Sequence, residues 1–113
     1  MRTPEIFSEV AAVAATIELA TNWELPNSFI AIKYFDADPT VGPATEVVPG
    51  AGTVTITAKL VNHGKYVDIT DGVFPAPTVN TFASFLANVE MVKAVPAGIT
   101  TATHYQLVVT QNS

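Results

Sequence analysis

Two histidines, four serines and ten carboxylates are the residues of this chain that could do chemistry. His63 stands in an Asn62-His63-Gly64 turn and His104 opens the last apolar run; a hydrolytic triad would need Ser8, Ser28, Ser84 or Ser113 beside one of them and a carboxylate behind it. No spacing links them. Asp36-X-Asp38 and Asp68-X-X-Asp71-Gly72 could offer oxygens to Ca²⁺, yet neither has the graded spacing of a calcium loop that ends in a bidentate Glu, so both read as turn caps. Gly50-Ala51-Gly52 has no following Lys-Ser/Thr and no helix, and is a turn rather than a phosphate cradle. The residues imply no catalytic constellation, no metal and no cofactor. Trp23, the only tryptophan, reads as a ring that plugs the end of the fold, or else as a sugar-stacking platform.

The balance of charge narrows the partners. Five basic residues, Arg2, Lys33, Lys59, Lys65 and Lys93, are scattered along a chain of net charge -5, which argues against nucleic acid because phosphate neutralisation needs clustered cations. Charged residues are 13% of the chain and apolar ones 49%, so much of the surface is Thr, Ala, Asn and Val and can dock on a neighbour without desolvating ions. The absence of cysteine removes disulfides and thiolate chemistry. Val10–Ala15 is apolar but far short of the ~20 residues that span a bilayer. Arg2 is followed by Glu5 and Glu9, which does not read as an export signal.

These residues must be held by a single domain, since 113 residues is the size of one. Thr53–Leu60 alternates without a fault, with Val54, Ile56, Ala58 and Leu60 on one face and Thr53, Thr55, Thr57 and Lys59 on the other. Ser28–Phe35 is apolar on both faces and reads as a central strand; Thr103–Thr110 puts Tyr105, Leu107 and Val109 together. Residues 15–20 form a first strand, Lys65–Thr70 a short one closed by an Asp71-Gly72 turn, and Phe85–Val95 one with Val89, Met91, Lys93 and Val95 on one side. Val95-Pro96-Ala97-Gly98 then supplies a type I turn. About seven short strands at 8–12-residue spacing predict an all-β fold, an antiparallel β-sandwich of jelly-roll or Ig-like topology spanning 15–113. Residues 1–14, where Val10, Val13 and Ala14 begin a helical spacing that runs on to Ile17, are expected to form an N-terminal arm or short helix. Its Ile6, Phe7, Val10 and Val13, together with Trp23, are the candidate assembly interface.

The strand Ala51-Gly52-Thr53-Val54-Thr55-Ile56 after a Pro-rich loop, and the closing Thr/Val-rich stretch Val95–Ser113, resemble small structural proteins of tailed bacteriophages. That resemblance implies a β-sandwich used as a repeated building block, often as a trimer, with N-terminal arms crossing to neighbours. It implies a virion protein assembled in the bacterial cytoplasm, a capsid decoration (cement) protein above a neck, tail or fibre component. The partner is then the major capsid protein or another virion protein, with neither nucleic acid nor membrane. The competing reading is a carbohydrate- or receptor-binding module using Trp23, Tyr34, Tyr66 or Tyr105 as stacking rings.

Overall fold

A computed structural model describes residues 4–60, 66–75, 81–86 and 88–112, the stretches 66–75 and 81–86 through their strand pairing. Eight strands follow in chain order: β1 (Glu5–Ala12), β2 (Ile17–Ala20), β3 (Asn27–Phe35), β4 (Thr53–Leu60), β5 (Tyr66–Pro75), β6 (Thr81–Leu86), β7 (Val89–Ala97) and β8 (His104–Asn112). They form two antiparallel sheets, ordered β1-β8-β3-β6 and β2-β7-β4-β5. The first strand pairs with the last, β2 with β7, β3 with β6 and β4 with β5, as if one long hairpin were folded over; β3–β8 and β4–β7 pairing then closes each sheet. This order is a jelly roll, which decides between the two sandwich topologies.

The core lies between the sheets. Ile30, Ile32 and Tyr34 of β3, with their neighbours Val109, Leu107 and Tyr105 of β8, face Val54, Ile56 and Ala58 of β4 and Val92 and Ala94 of β7 across the two sheets, all wholly or almost wholly buried. Period-two alternation produces this directly, because successive side chains of a strand point to opposite faces.

Four local expectations change. Glu5–Ala12 is neither arm nor helix but an edge strand, paired with β8 from Glu5↔Gln111 to Ala12↔His104. The helical spacing of Val10, Val13, Ala14 and Ile17 runs across a turn, in which Ala15 N donates to Ala12 O (2.9 Å) and Val13 N to Thr103 O (3.0 Å). The ladder of β8 on that side needs partners, and β1 supplies them. Phe85–Val95 is split between β6 and β7, and Val89 and Val92 are both inward because the register slips between Lys59 and Leu60, leaving Glu90 as the extra residue of a bulge. Met91, Lys93 and Val95 therefore face outward. Pro96 continues β7 opposite Val54 instead of starting a turn; β2 ends opposite Ala94, so one side of the ladder is open where proline cannot donate. Asp71-Gly72 falls within β5, in the slip where Thr57 faces Asp68 but Thr55 faces Val73. The Asn62-His63-Gly64 turn lies outside the described residues.

The long β3–β4 connection is clamped to the β7–β8 connection by glycines. Thr100 N and Thr101 N donate to Pro49 O (3.3 and 2.9 Å), and Ala51 N to Thr100 Oγ1 (3.0 Å). Gly52 (φ 98°) and Gly98 (φ 72°) touch; a Cβ on Gly52 would strike Ala97 O and the Gly98 carbonyl. Only glycine fits there, for the positive φ and for the space.

Candidate functional site

The registers of β1, β8 and β3 set out the outer face of the first sheet row by row. Ile6, Thr110 and Phe29 stand side by side, then Ser8, Val108 and Ala31, then Val10, Gln106 and Lys33, then Ala12, His104 and Phe35. On β6 the same rows continue to Ser84 and Phe82. Ile6 is 68% exposed and Phe29 42%. The four strands of this sheet hold only two of the ten carboxylates, Glu5 and Glu9, and both belong to the inward-facing parity of the edge strand β1. The outer face is thus free of acid, with Lys33 and His104 toward one end. Inward-facing charges on an edge strand also discourage a further strand from adding to it.

The outer face of the second sheet is different. Glu18, Lys93 and Thr57 share a row there, and Lys59 Nζ lies 3.5 Å from Glu90 Oε1. Both signs of charge meet on this side, and the other described carboxylates lie on the rims and loops. The contrast leaves the first sheet with an acid-free outer face rich in apolar residues and the second with a charged one.

At the Ile6 end the β2–β3 loop presents Trp23, 53% exposed. Leu25, wholly buried, plugs this end of the sandwich in place of the tryptophan. Gln111 explains why the loop sits where it does: fully buried, it accepts from Asn22 N (2.8 Å) and donates to Ser28 Oγ (3.1 Å). A buried amide with both ends satisfied fixes geometry without an unpaired polar group. Thr21 Oγ1 donates to Val89 O (2.8 Å), and Asn88 Nδ2 to Trp23 O (2.7 Å).

The expected interface residues are therefore sorted. Ile6 and Val10 lie on the open face and Trp23 stands at its end, whereas Phe7 faces inward and Val13 packs against the core from the turn at the opposite end. Phe29, Ala31 and Val108 were not anticipated; their signal was the apolar residue on both parities of β3 and β8. Tyr34 and Tyr105 are fully buried and cannot act as stacking rings.

The other candidate chemistry resolves into structure. Asp38 Oδ1 accepts from Thr40 N (2.9 Å) and Thr40 Oγ1 (2.6 Å), and this hydroxyl and amide, helped by the charge of His104, hold its carboxyl below the usual range. Asp36 Oδ1 caps Thr45 N (2.8 Å). His104 Nδ1 meets Thr103 Oγ1 at 3.0 Å, and Ser28 is engaged by Gln111. His63 and Ser113 lie outside the described residues. Among the described residues no group of three or more His, Asp or Glu is placed to hold a metal ion.

Residues 3–113 match a protein family described as a domain of unknown function, DUF7265. The chain belongs to the DUF7265 family. No curated protein matches this DUF7265 chain. A solved structure reported as "Bacillus endospore appendages form a novel family of disulfide-linked pili" aligns with TM-score 0.49 and 14% identity, covering 97% of the DUF7265 chain and 87% of that one.

Proposed function

We propose that this chain is a virion structural protein of a tailed bacteriophage, and specifically a capsid decoration protein that stabilises the head by bridging capsid subunits. The observation that carries the reading is the acid-free outer face of β1-β8-β3-β6, with Ile6 and Phe29 in the open. The sequence resemblance of the Ala51–Ile56 and Val95–Ser113 stretches supports the phage context. Four strands at about 4.8 Å spacing, roughly 20–30 Å long, present on the order of 500 Å² in plan. With side-chain relief this approaches the ~800 Å² per partner of a standard stable interface. Burying that face against the major capsid protein adds contacts that must break before the shell opens. Copies that meet around a three-fold position would act as a homotrimer.

Mass spectrometry of purified particles is the first test, and absence of the chain from intact virions overturns the reading. The second is re-binding of purified protein to particles stripped of it. Ile6→Asp and Phe29→Asp point outward and should leave the fold intact while weakening attachment about tenfold or more, because each places an unpaired carboxylate in an apolar contact. Undiminished attachment of both variants would move the docking surface elsewhere.

A further inference from the structure

Trp23 is the bulkiest apolar side chain that the fold leaves exposed, and its loop is not slack. Besides the bonds to Gln111 and Asn88, Glu24 N donates to Asn22 Oδ1 (3.0 Å), Leu25 N to Asn22 O (3.2 Å) and Asn22 Nδ2 to Glu5 Oε2 (2.8 Å). With Leu25 sealing the end, the ring itself adds little to the core. An aromatic held out on a braced backbone loses little freedom when it is covered, which is how interface anchors work.

The surroundings of the ring select its occupant. Glu24 is exposed beside it, and the Glu5 carboxylate lies one hydrogen bond away through Asn22. Lys59, from the other sheet, is paired with Glu90, whose backbone carbonyl accepts from Thr21 N at the foot of the loop (3.2 Å). An exposed indole whose next residue is an exposed carboxylate, with a second carboxylate reached through Asn22, attracts a cation. Both ends of the Asn22 side chain are already committed, so that amide is not free to read sugar hydroxyls.

We propose that Trp23 and Glu24 form a docking point for an arginine side chain of a partner protein, its guanidinium stacked on the indole and hydrogen-bonded to the Glu24 carboxylate. Arginine suits the site better than lysine because its planar cation both stacks and offers a fork of donors to a carboxylate. The inference stands apart from the virion reading, since it needs only the loop.

Trp23 is the sole tryptophan, so its emission reports the site directly. The full chain is titrated with a capped tetra-arginine peptide, its tetra-lysine and tetra-citrulline counterparts, and maltohexaose. The expected result is a saturable change with the arginine peptide, affinity several-fold lower for lysine and lower by about tenfold or more for citrulline. Glu24→Gln should weaken binding about fivefold, whereas Glu46→Gln, an exposed carboxylate at the opposite end of β3, should leave it unchanged. In Trp23→Leu, followed by anisotropy of a labelled peptide, the preference for arginine over lysine should vanish. Equal binding of the citrulline peptide, equal loss in the Glu24 and Glu46 variants, or saturation by maltohexaose in place of the arginine peptide would each overturn the proposal, the last in favour of a sugar platform.

Discussion

Tyr34 and Tyr105 are direct cross-strand partners, both fully buried, yet their hydroxyls differ. The Tyr105 hydroxyl donates toward Ala15 O (2.7 Å) and Ala94 O (3.3 Å), tying the β1–β2 turn to β7, while that of Tyr34 has no partner among the described residues. Removing a hydroxyl should therefore act in opposite directions at the two positions. Tyr105→Phe gives up a net hydrogen bond and should cost about 1–1.5 kcal/mol; Tyr34→Phe removes an unsatisfied buried group whose desolvation costs about 1–3 kcal/mol, and should be neutral or stabilising by about 1 kcal/mol. The two variants should then differ by about 2 kcal/mol, or roughly 8 °C in Tm for a domain of this size. Urea and thermal unfolding followed by circular dichroism at neutral pH read the difference. Equal destabilisation by the two substitutions would refute the reasoning, since it would mean that the Tyr34 hydroxyl is bonded after all. Alkaline unfolding gives an independent check on the same residue. Burial pushes the Tyr34 phenol up to about 12 from its ordinary 10, so the unfolded chain releases the proton first. The associated stability is fully present below pH 10 and is lost as pH rises through 12, at most about 3 kcal/mol for a shift of that size. Burial raises Tyr105 in the same direction, so Tyr34→Phe should soften the alkaline loss without abolishing it.

Gly52→Ala, which meets the Ala97 and Gly98 backbone at positive φ, should cost more than about 2 kcal/mol in urea unfolding, whereas Gly42→Ala, in open space, should be neutral or gain about 0.5 kcal/mol. Ile56→Asp buries an unpaired carboxylate and should abolish folding, while Thr55→Asp on the outward parity should be mild; equal urea midpoints would show the β4 register to be wrong. Deleting residues 1–12 strips β1 from β8 and uncovers the core beside Ala11, so the truncated chain should lose its cooperative thermal transition; a domain of unchanged Tm would return the segment to the status of a detachable arm.

The all-β class and the inward faces of β4 and β8 were legible in the sequence, because period-two alternation is local and burying one parity is the only way such a segment hides its apolar side chains; β3, apolar on both parities, had its inward face chosen by the tertiary structure. The turn chemistry of Asp38 was legible for the same reason, since it caps the Thr40 amide two residues on, whereas Asp36 reaches Thr45 nine residues along the loop. What partners an edge is not local. Glu5–Ala12 has weak pattern of its own and is a strand because β8, a hundred residues away, offers a row of unpaired backbone groups. The Glu90 bulge that turns Met91 outward comes from the fit of β7 to β4, and the exchange of Trp23 for Leu25 at the end of the sandwich comes from the reach of Gln111 to Asn22. The acid-free outer face of the first sheet is the clearest case. Ile6 stands out in the sequence only in the wrong setting, a free arm, and Phe29 and Val108 not at all; only the order β1-β8-β3 brings them onto one face while leaving every carboxylate elsewhere, since a surface made of three distant segments has no signature in any one of them.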